Sequence, residues 1–322
     1  MVSPIAFGAW AIGGWMWGGA DRKEAISAVD ACLDAGITTI DTAPVYGFGL
    51  SEQIIGEAIK GKRDRFQILT KYGLRWDAPE GEFHFSSTDN QGRPVDIYKH
   101  ATAERVMLEC ERSLKYLGTD YVDLLQIHWP DNTTPVAETM SAVEKLISQG
   151  KVRAAGVSNY SVEQMRQAGE VLHIASNQVP YSMVRRDIEK DVVPYCLDQG
   201  ISILPYSPLQ RGLLTGKIGP DTRFNEGDSR PDTPHFRAGN LVRINGFLDK
   251  IRPMADSKHA TLAQLVLAWT LRMPGISCVL AGARNPEQVM ENAGAMDIRL
   301  SDGEMKEINS LLDALELELD LD

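Results

Sequence analysis

The chain reads as a single-domain α/β protein, a (β/α)8 TIM barrel, and three observations predict it. Eight short apolar runs alternate with longer amphipathic ones along most of the 322 residues. Several of those runs are nearly continuous in apolar residues, as strands buried on both faces are. The runs also repeatedly finish in an ionisable or amide side chain, and parallel strands closed into a barrel bring such ends to one mouth.

The strands expected in order are Ile5–Trp10, Thr38–Thr42, Phe66–Lys71, Tyr121–His128, Val152–Ser158, Ser176–Val179, Ile201–Tyr206 and Ser277–Ala281. Between the first two, Arg22–Ala35 places Ala25, Ile26, Val29 and Leu33 on one helical face, and Gly36 supplies a stop. Between the fourth and fifth, Thr134–Ser148 carries Pro135 near its start, turns Val136, Met140, Val143, Leu146 and Ile147 inward, and is followed by Gly150. Strands alternating with helices pair in parallel through right-handed crossovers. An open doubly wound sheet is the alternative, and it follows if the weakest run, Ser176–Val179, is a loop.

Two segments break the rhythm, Leu74–Ile97 after the third strand and Leu209–Asn240 after the seventh. Both are rich in Gly, Pro and Asp, and both read as long loops on the side where barrel enzymes place their chemistry. No linker, repeat or low-complexity tract divides residues 1–322, and the acidic stretch after Leu311 reads as the end of a last helix.

Composition, 43% hydrophobic and 24% charged, suits a large core. A net charge of −11 (33 basic against 44 acidic residues) argues against a nucleic-acid partner, which calls for a basic face. Cys32, Cys110, Cys196 and Cys278 are far apart and read as reduced core residues of a cytoplasmic protein. No apolar run approaches the ~20 residues that cross a bilayer, and no secretory leader pattern opens the chain, so no membrane role is expected. The six histidines form no H-E-x-x-H cluster, and G-x-S-x-G is absent, so neither a metal site nor a serine hydrolase is indicated. Gly13–Gly19 is glycine-rich without phosphate-loop spacing and reads as a pocket-lining loop.

The strand ends carry the chemistry. Asp41 closes the second strand, Lys71 the third and His128 the fourth; Ser158 and Asn159 end the fifth, Gln178 lies on the sixth, and Tyr206 and Ser207 end the seventh. Singly, each has a plainer reading: Asp41 as a turn cap, Lys71 as a solvated strand end, His128 as a core histidine, Tyr46 as a surface aromatic. Together they form a set. Carbonyl reduction needs a hydride at carbon and a proton for the developing alkoxide. Tyrosine, with a pKa near 10, is a poor acid, and a lysine ammonium beside it is expected to lower that value. A carboxylate keeps the lysine charged, and a histidine can polarise the carbonyl. Asp41, Tyr46, Lys71 and His128 supply all four groups.

These residues resemble the aldo-keto reductase family from about Pro4 to Leu311. Asp41-Thr-Ala-Pro-Val-Tyr46-Gly with Ser51-Glu52 and Ile55-Gly56 looks like its aspartate and tyrosine signature. Leu69-Thr-Lys71 resembles its lysine motif, and Tyr121-Val-Asp-Leu-Leu-Gln-Ile-His128 its histidine strand. Gly156–Tyr160, Pro205–Leu209 and Ala281–Pro286, the last running on to Glu291-Asn292, look like its three cofactor segments. The style is similar to bacterial members near the inositol-operon and general-stress reductases.

The resemblance implies an NADP(H)-dependent oxidoreductase that reduces an aldehyde or ketone, a sugar or aryl carbonyl among the candidates, with Tyr46 as proton donor. It implies that Ser158, Asn159 and Gln178 hold the nicotinamide carboxamide and that Tyr206 stacks on the ring. Ser207, Leu209, Arg211 and the run to Lys217 would wrap the pyrophosphate. Gly282, Ala283, Arg284, Gln288 and Asn292 would hold the adenosine end, with Arg284 on the 2′-phosphate; a surface salt bridge is the plainer reading of Arg284. Trp15, Trp17 and Trp129 are expected to wall the substrate pocket, with packing of loop on barrel as the alternative.

Two departures stand out. Family members begin with a hairpin that plugs the barrel floor, whereas here the first strand starts almost at Met1, so either the start is trimmed or the floor is sealed differently. The Leu74–Ile97 segment is longer than in many relatives and is expected to roof the pocket. A small-molecule carbonyl substrate and a monomer or weak oligomer are the expected partner and state. The competing functions are an NADP(H)-binding redox-sensing subunit acting through a partner protein, and a Schiff-base aldolase using Lys71.

Overall fold

The computed structural model describes residues 2–224 and 228–319. Eight parallel strands build the barrel: β1 (Ile5–Gly8), β2 (Thr39–Asp41), β3 (Gln67–Tyr72), β7 (Leu124–Ile127), β8 (Ala155–Ser158), β9 (Ile174–Pro180), β10 (Ser202–Tyr206) and β11 (Val279–Gly282). The missing numbers in that series, β4 (Leu74–Arg75), β5 (Glu82–Thr88) and β6 (Pro94–Lys99), form a separate antiparallel sheet. The barrel order is β10-β9-β8-β7-β3-β2-β1-β11. Its ends meet where Ile203 N–H donates to Gly275 O at 2.9 Å and Ser277 N–H to Ile203 O at 3.3 Å. The open-sheet alternative is therefore excluded.

Helices α1 (Arg22–Asp34), α2 (Leu50–Ala58), α3 (Ala103–Leu117), α4 (Val136–Ser148), α5 (Val162–Gly169), α6 (Val192–Gln199), α7 (Ala238–Ser257), α8 (Leu262–Leu271), α9 (Pro286–Ala293) and α10 (Asp302–Asp313) complete the elements used below. The local signals act as expected. Asp21 caps α1 by accepting from Glu24 N–H, Gly36 leaves it at φ +73°, and Gly150 leaves α4 at φ +74°.

Strand alternation sorts the side chains into two cores. Phe7, Ile40, Ile68, Leu125 and Val157 point outward into the large core beneath the helices. Ala6, Leu69, Leu124, Leu204, Cys278 and Leu280 form a second, smaller cluster inside the barrel. Above that plug the same inward rows turn polar and reach the mouth as Asp41, Lys71 and Gln178. All four cysteines are buried and free. At the start of the chain, Ser3 exchanges hydrogen bonds with Thr38 and Thr39, and residues 2–4 form no hairpin.

One expectation needs correction, and the weakest one holds. Leu74–Ile97 is no loop: it folds as most of the β4-β6-β5 sheet, because Phe85, Val95 and Ile97 turn toward Trp15 and bury a small cluster of their own. Ser176–Val179, the weakest strand by sequence, belongs to β9, a seven-residue strand paired on both sides. The Leu209–Asn240 segment contains two short 3-10 turns, Gln210–Thr215 and Pro234–Phe236, and its last residues open α7. Residues 225–227 of that segment, Met1, and residues 320–322 of the acidic tail lie outside the described residues. No described helix is long and apolar enough to cross a membrane.

Candidate active site

β2 and β3 are neighbours in register, with Asp41 opposite Leu69, so Asp41 and Lys71 rise side by side at the mouth. Lys71 is fully buried. Its ammonium donates to Asp41 Oδ2 at 2.7 Å, to Thr42 O at 2.9 Å and to the Tyr46 hydroxyl at 3.1 Å. Those three acceptors use all three of its N–H groups. The other carboxylate oxygen of Asp41 accepts from Gln178 Nε2 at 2.8 Å, and the same nitrogen lies 3.3 Å from Gln126 Oε1. His128, at the end of β7, sets its ring edge-on to Tyr46 with centroids 5.7 Å apart.

The turn carrying Tyr46 is fixed from behind. Ser51, in the first turn of α2, donates its backbone N–H to Tyr46 O and its hydroxyl to Ala9 O, and that hydroxyl also meets Thr42 Oγ1 at 2.9 Å. The next residue, Glu52, is buried and accepts from Thr70 Oγ1 at 2.6 Å. On the other side the backbone of Gly13 presses against the tyrosine turn. A Cβ on Gly13 would stand 2.7 Å from the Tyr46 carbonyl carbon, and one on Gly47, at φ +65°, would strike the Gly13 carbonyl. Side chains are sterically excluded at both positions.

Burial governs the electrostatics. It tends to neutralise Lys71, but Asp41 and Tyr46 outweigh it and leave the lysine pKa above its ordinary value. Tyr46 corrects the sequence-based expectation of a lowered pKa. Burial pushes its pKa up, Lys71 pulls it down, and burial together with Asp41 prevails. The phenol is thus held protonated. Burial also drives His128 well below the usual imidazole range, with Lys71 and His84 adding to it, so its ring is neutral. Glu52, by burial, is pushed up to about 7.

Every expected site residue except Lys71, which lies behind Tyr46, lines a single cavity of about 590 Å³. Within it Ser158, Asn159, Gln178 and Tyr206 are tied together. Ser158 Oγ donates to Gln178 O at 2.8 Å, Asn159 Nδ2 donates to His128 O and to Ser158 Oγ, and Tyr206 OH donates to Asn159 Oδ1 at 2.9 Å. This cross-linking spends their donors and leaves acceptor lone pairs, the complement of an amide NH2.

At the rim, Arg211 sits at φ +55° with Nη2 donating to Ser229 Oγ at 2.7 Å, while its buried Nε has no partner among the described residues. Ser207, also at positive φ, and Leu209 begin this turn, and Lys217 closes it, exposed and 3.8 Å from Glu291. Opposite them, Asn285 caps α9 by accepting from Gln288 N–H, Gln288 Oε1 accepts from Arg284 N–H, and Asn292 donates to Gly282 O. Ala283 is buried beside them. The Arg284 guanidinium forms no hydrogen bond or ion pair among the described residues, which sets aside its salt-bridge reading.

The three tryptophans wall the cavity and also pack. Trp15 donates to Ser87 Oγ at 3.1 Å and stacks on Phe85, Trp17 meets Trp10 edge-on, and Trp129 lies against His84. Sequence reasoning missed Trp10, stacked 6.1 Å from Tyr46, although its place just beyond the first strand obeys the rule that found the others. It also missed Gln126, Arg230, and His84 and Phe85 from the added sheet, all but Gln126 lining the cavity.

Comparison with known proteins agrees with this geometry. The model of the Aldo/keto reductase family matches residues 4–313. Aldo-keto reductase YhdN of Bacillus subtilis is 40% identical over 315 residues, 97% of this chain and 90% of that protein. The NADH-specific methylglyoxal reductase of Escherichia coli is 36% identical over 98% of this chain and 96% of its own. Among solved structures, the glycerol dehydrogenase AKR11B4 of Gluconobacter oxydans superposes with a TM-score of 0.88 at 38% identity, covering 98% of this chain and 92% of that one. An aldo/keto reductase of Klebsiella pneumoniae in complex with NADP and acetate gives 0.72 at 31% identity, over 97% and 92%. The buried lysine between aspartate and tyrosine, the barrel around it and these likenesses lead to one assignment: the chain belongs to the aldo/keto reductase family.

Proposed function

We propose that the chain is an NADP(H)-dependent reductase of aldehydes and ketones, a single domain working on a small carbonyl substrate in the cytoplasm as a monomer or weak oligomer. The observation that carries the reading is the 3.1 Å contact from the Lys71 ammonium to the Tyr46 hydroxyl at the base of the cavity. An ammonium has no lone pair, so the phenolic proton cannot turn back toward it and is available to the cavity.

The residues present fit the dinucleotide. Arg211, whose Nε has no partner among the described residues, and Arg284, unpaired among them beside the start of α9, are cations suited to its phosphates, and the helix end adds its own positive field. Arg284 favours NADP, the cofactor held by the Klebsiella structure, whereas the Escherichia coli relative is named as NADH-specific. Bound there, the reduced nicotinamide supplies a hydride to the carbonyl carbon.

The chain's own side chains do the rest. Neutral His128 donates a hydrogen bond to the carbonyl oxygen and orients it. As charge develops on that oxygen, Tyr46 releases its proton to it, and Lys71 stabilises the phenolate left behind. Asp41 keeps the lysine charged, and Gln178 keeps Asp41 in place. A phenol whose pKa is raised by burial is a weak acid toward water but an adequate one toward an alkoxide, a far stronger base. Tyr46→Phe tests the assignment: NADPH consumption with a panel of aldehydes should fall by about 100-fold or more, with NADPH affinity by fluorescence titration retained. Undiminished turnover would remove Tyr46 from its role.

A further inference from the structure

The cavity holds a second imidazole that carbonyl reduction by Asp41, Tyr46, Lys71 and His128 does not use. On β5, Phe83 pairs with Tyr98 and Phe85 with the very next partner residue, Ile97, so His84 is the extra residue of a β-bulge. A regular strand would send His84 and Phe85 to opposite faces. Here both line the cavity, while Phe83 is 53% exposed on the other side. The bulge therefore adds a side chain to the pocket that normal alternation would deny it.

The imidazole is held in place by rings. It lies 4.9 Å from Phe85 and 5.0 Å from Trp129, centroid to centroid, and Trp129 directly follows His128 in the chain. Among the described residues no hydrogen bond satisfies either ring nitrogen. The sheet that carries it is anchored: Trp15 donates to Ser87, Asn90 to Gly13 O, and Asn132 to Glu82, which is also paired with Lys99. The charged groups facing His84 are that Glu82 on its own strand and Lys99 on β6. Burial and Lys99 hold its pKa below the ordinary value, against Glu82. A neutral imidazole both donates and accepts, and it is the polar spot in a wall made of Trp15, Phe85, Leu74 and Trp129.

We propose that His84 is a specificity-determining residue that binds a second oxygen on the substrate, a hydroxyl or carbonyl near the reacting one, so that the enzyme prefers oxygenated aldehydes and ketones over hydrocarbon ones. An apolar wall with one amphoteric group rejects little by shape, and a single hydrogen bond decides between substrates of equal size. This rests on the carbonyl-reductase reading above.

The test uses substrate pairs of matched shape that differ by one oxygen: lactaldehyde against 2-methylpropanal, and hydroxyacetone against 2-butanone. Each is assayed with NADPH in the wild type, in His84→Phe, which keeps an aromatic ring against Phe85 and Trp129, and in His84→Asn, which restores a donor and an acceptor. Intrinsic carbonyl reactivity is common to all three proteins, so the ratio of kcat/KM within a pair isolates the hydroxyl contact. His84→Phe should lower the hydroxyl-to-hydrocarbon ratio about tenfold, roughly the worth of one hydrogen bond, and His84→Asn should recover part of it. A ratio that stays put, or a loss shared equally by both members of a pair, overturns the proposal. Wild-type protein that reduces none of the four compounds would sink the reductase reading first, and this inference with it.

Discussion

Around Asp41 the polar side chains satisfy one another: Lys71 and Gln178 converge there with their hydrogen bonds made, and the Tyr46 hydroxyl accepts from Lys71 with only its own proton unspent. At the rim the opposite holds. The indole N–H groups of Trp10 and Trp17 and the Nε of Arg211 are buried without partners among the described residues, and the Arg284 guanidinium pairs with no acid there. Leaving a buried donor unpaired costs about 1–3 kcal/mol, and native proteins keep such groups few. The contrast separates two tasks. On the proposed reading, the reacting cluster is already hydrogen-bonded before any ligand arrives, whereas the rim holds unmet polar groups whose satisfaction would become binding energy.

The largest predicted effect breaks the satisfied region. Lys71→Met removes the cation while leaving Asp41 buried, and should destabilise the fold by about 4 kcal/mol in urea unfolding. Turnover should fall about 100-fold or more, because neither the phenolate nor the carboxylate then has a counter-charge. Loss of activity at full stability would mean that the cluster is not as closed to water as its geometry implies.

A smaller effect comes from Glu52, buried just behind that cluster. Its pKa is about 7 in the folded chain and about 4.3 when unfolded, so between those values the folded state binds more protons. Stability therefore falls as pH rises through that window, by roughly 3 kcal/mol, and stays at the lower level above it. Glu52→Gln should remove this slope, and its urea midpoints at pH 5 and pH 8 should differ less than the wild type's. Equal pH dependence in the two proteins would show that the carboxyl is hydrated.

The smallest effect belongs to the rim. Arg284→Ala should cost about 2 kcal/mol, some 30-fold, in NADPH affinity and leave NADH affinity nearly unchanged, both read by fluorescence titration. Equal losses for the two cofactors would place Arg284 on a group they share, and the choice between them would lie elsewhere on the rim.

Most of the barrel was legible because strands buried on both faces have to be apolar and their polar ends stand out. β9 was read least well since Ser176, Asn177 and Gln178 are polar on both its faces. Asn177 points outward, where it donates to Tyr160 O, a partner fixed only by the fold. The added sheet escaped notice because only one of its faces is buried and its alternation is broken at His84. The four groups of the candidate site were read from their positions, but the Tyr46 pKa was misjudged: a sequence names the charges near a residue and says little about its loss of water. Arg211 and Arg284 were read through the resemblance, and only the folded chain shows that the Arg211 Nε and the Arg284 guanidinium lack partners among the described residues.

The contact between Gly13 and the Tyr46–Gly47 turn has an evolutionary consequence. The segment after Gly13 bears Trp15 and Trp17, so this wall of the cavity rests, main chain on main chain, against the turn that carries Tyr46, the proposed proton donor. Remodelling that wall by insertion or by a bulkier residue at the contact would displace the acid as well. New substrate preferences are more freely acquired at His84, whose ring packs on Phe85 and Trp129, than at Asn90 of the same sheet, which donates to the Gly13 carbonyl at that contact.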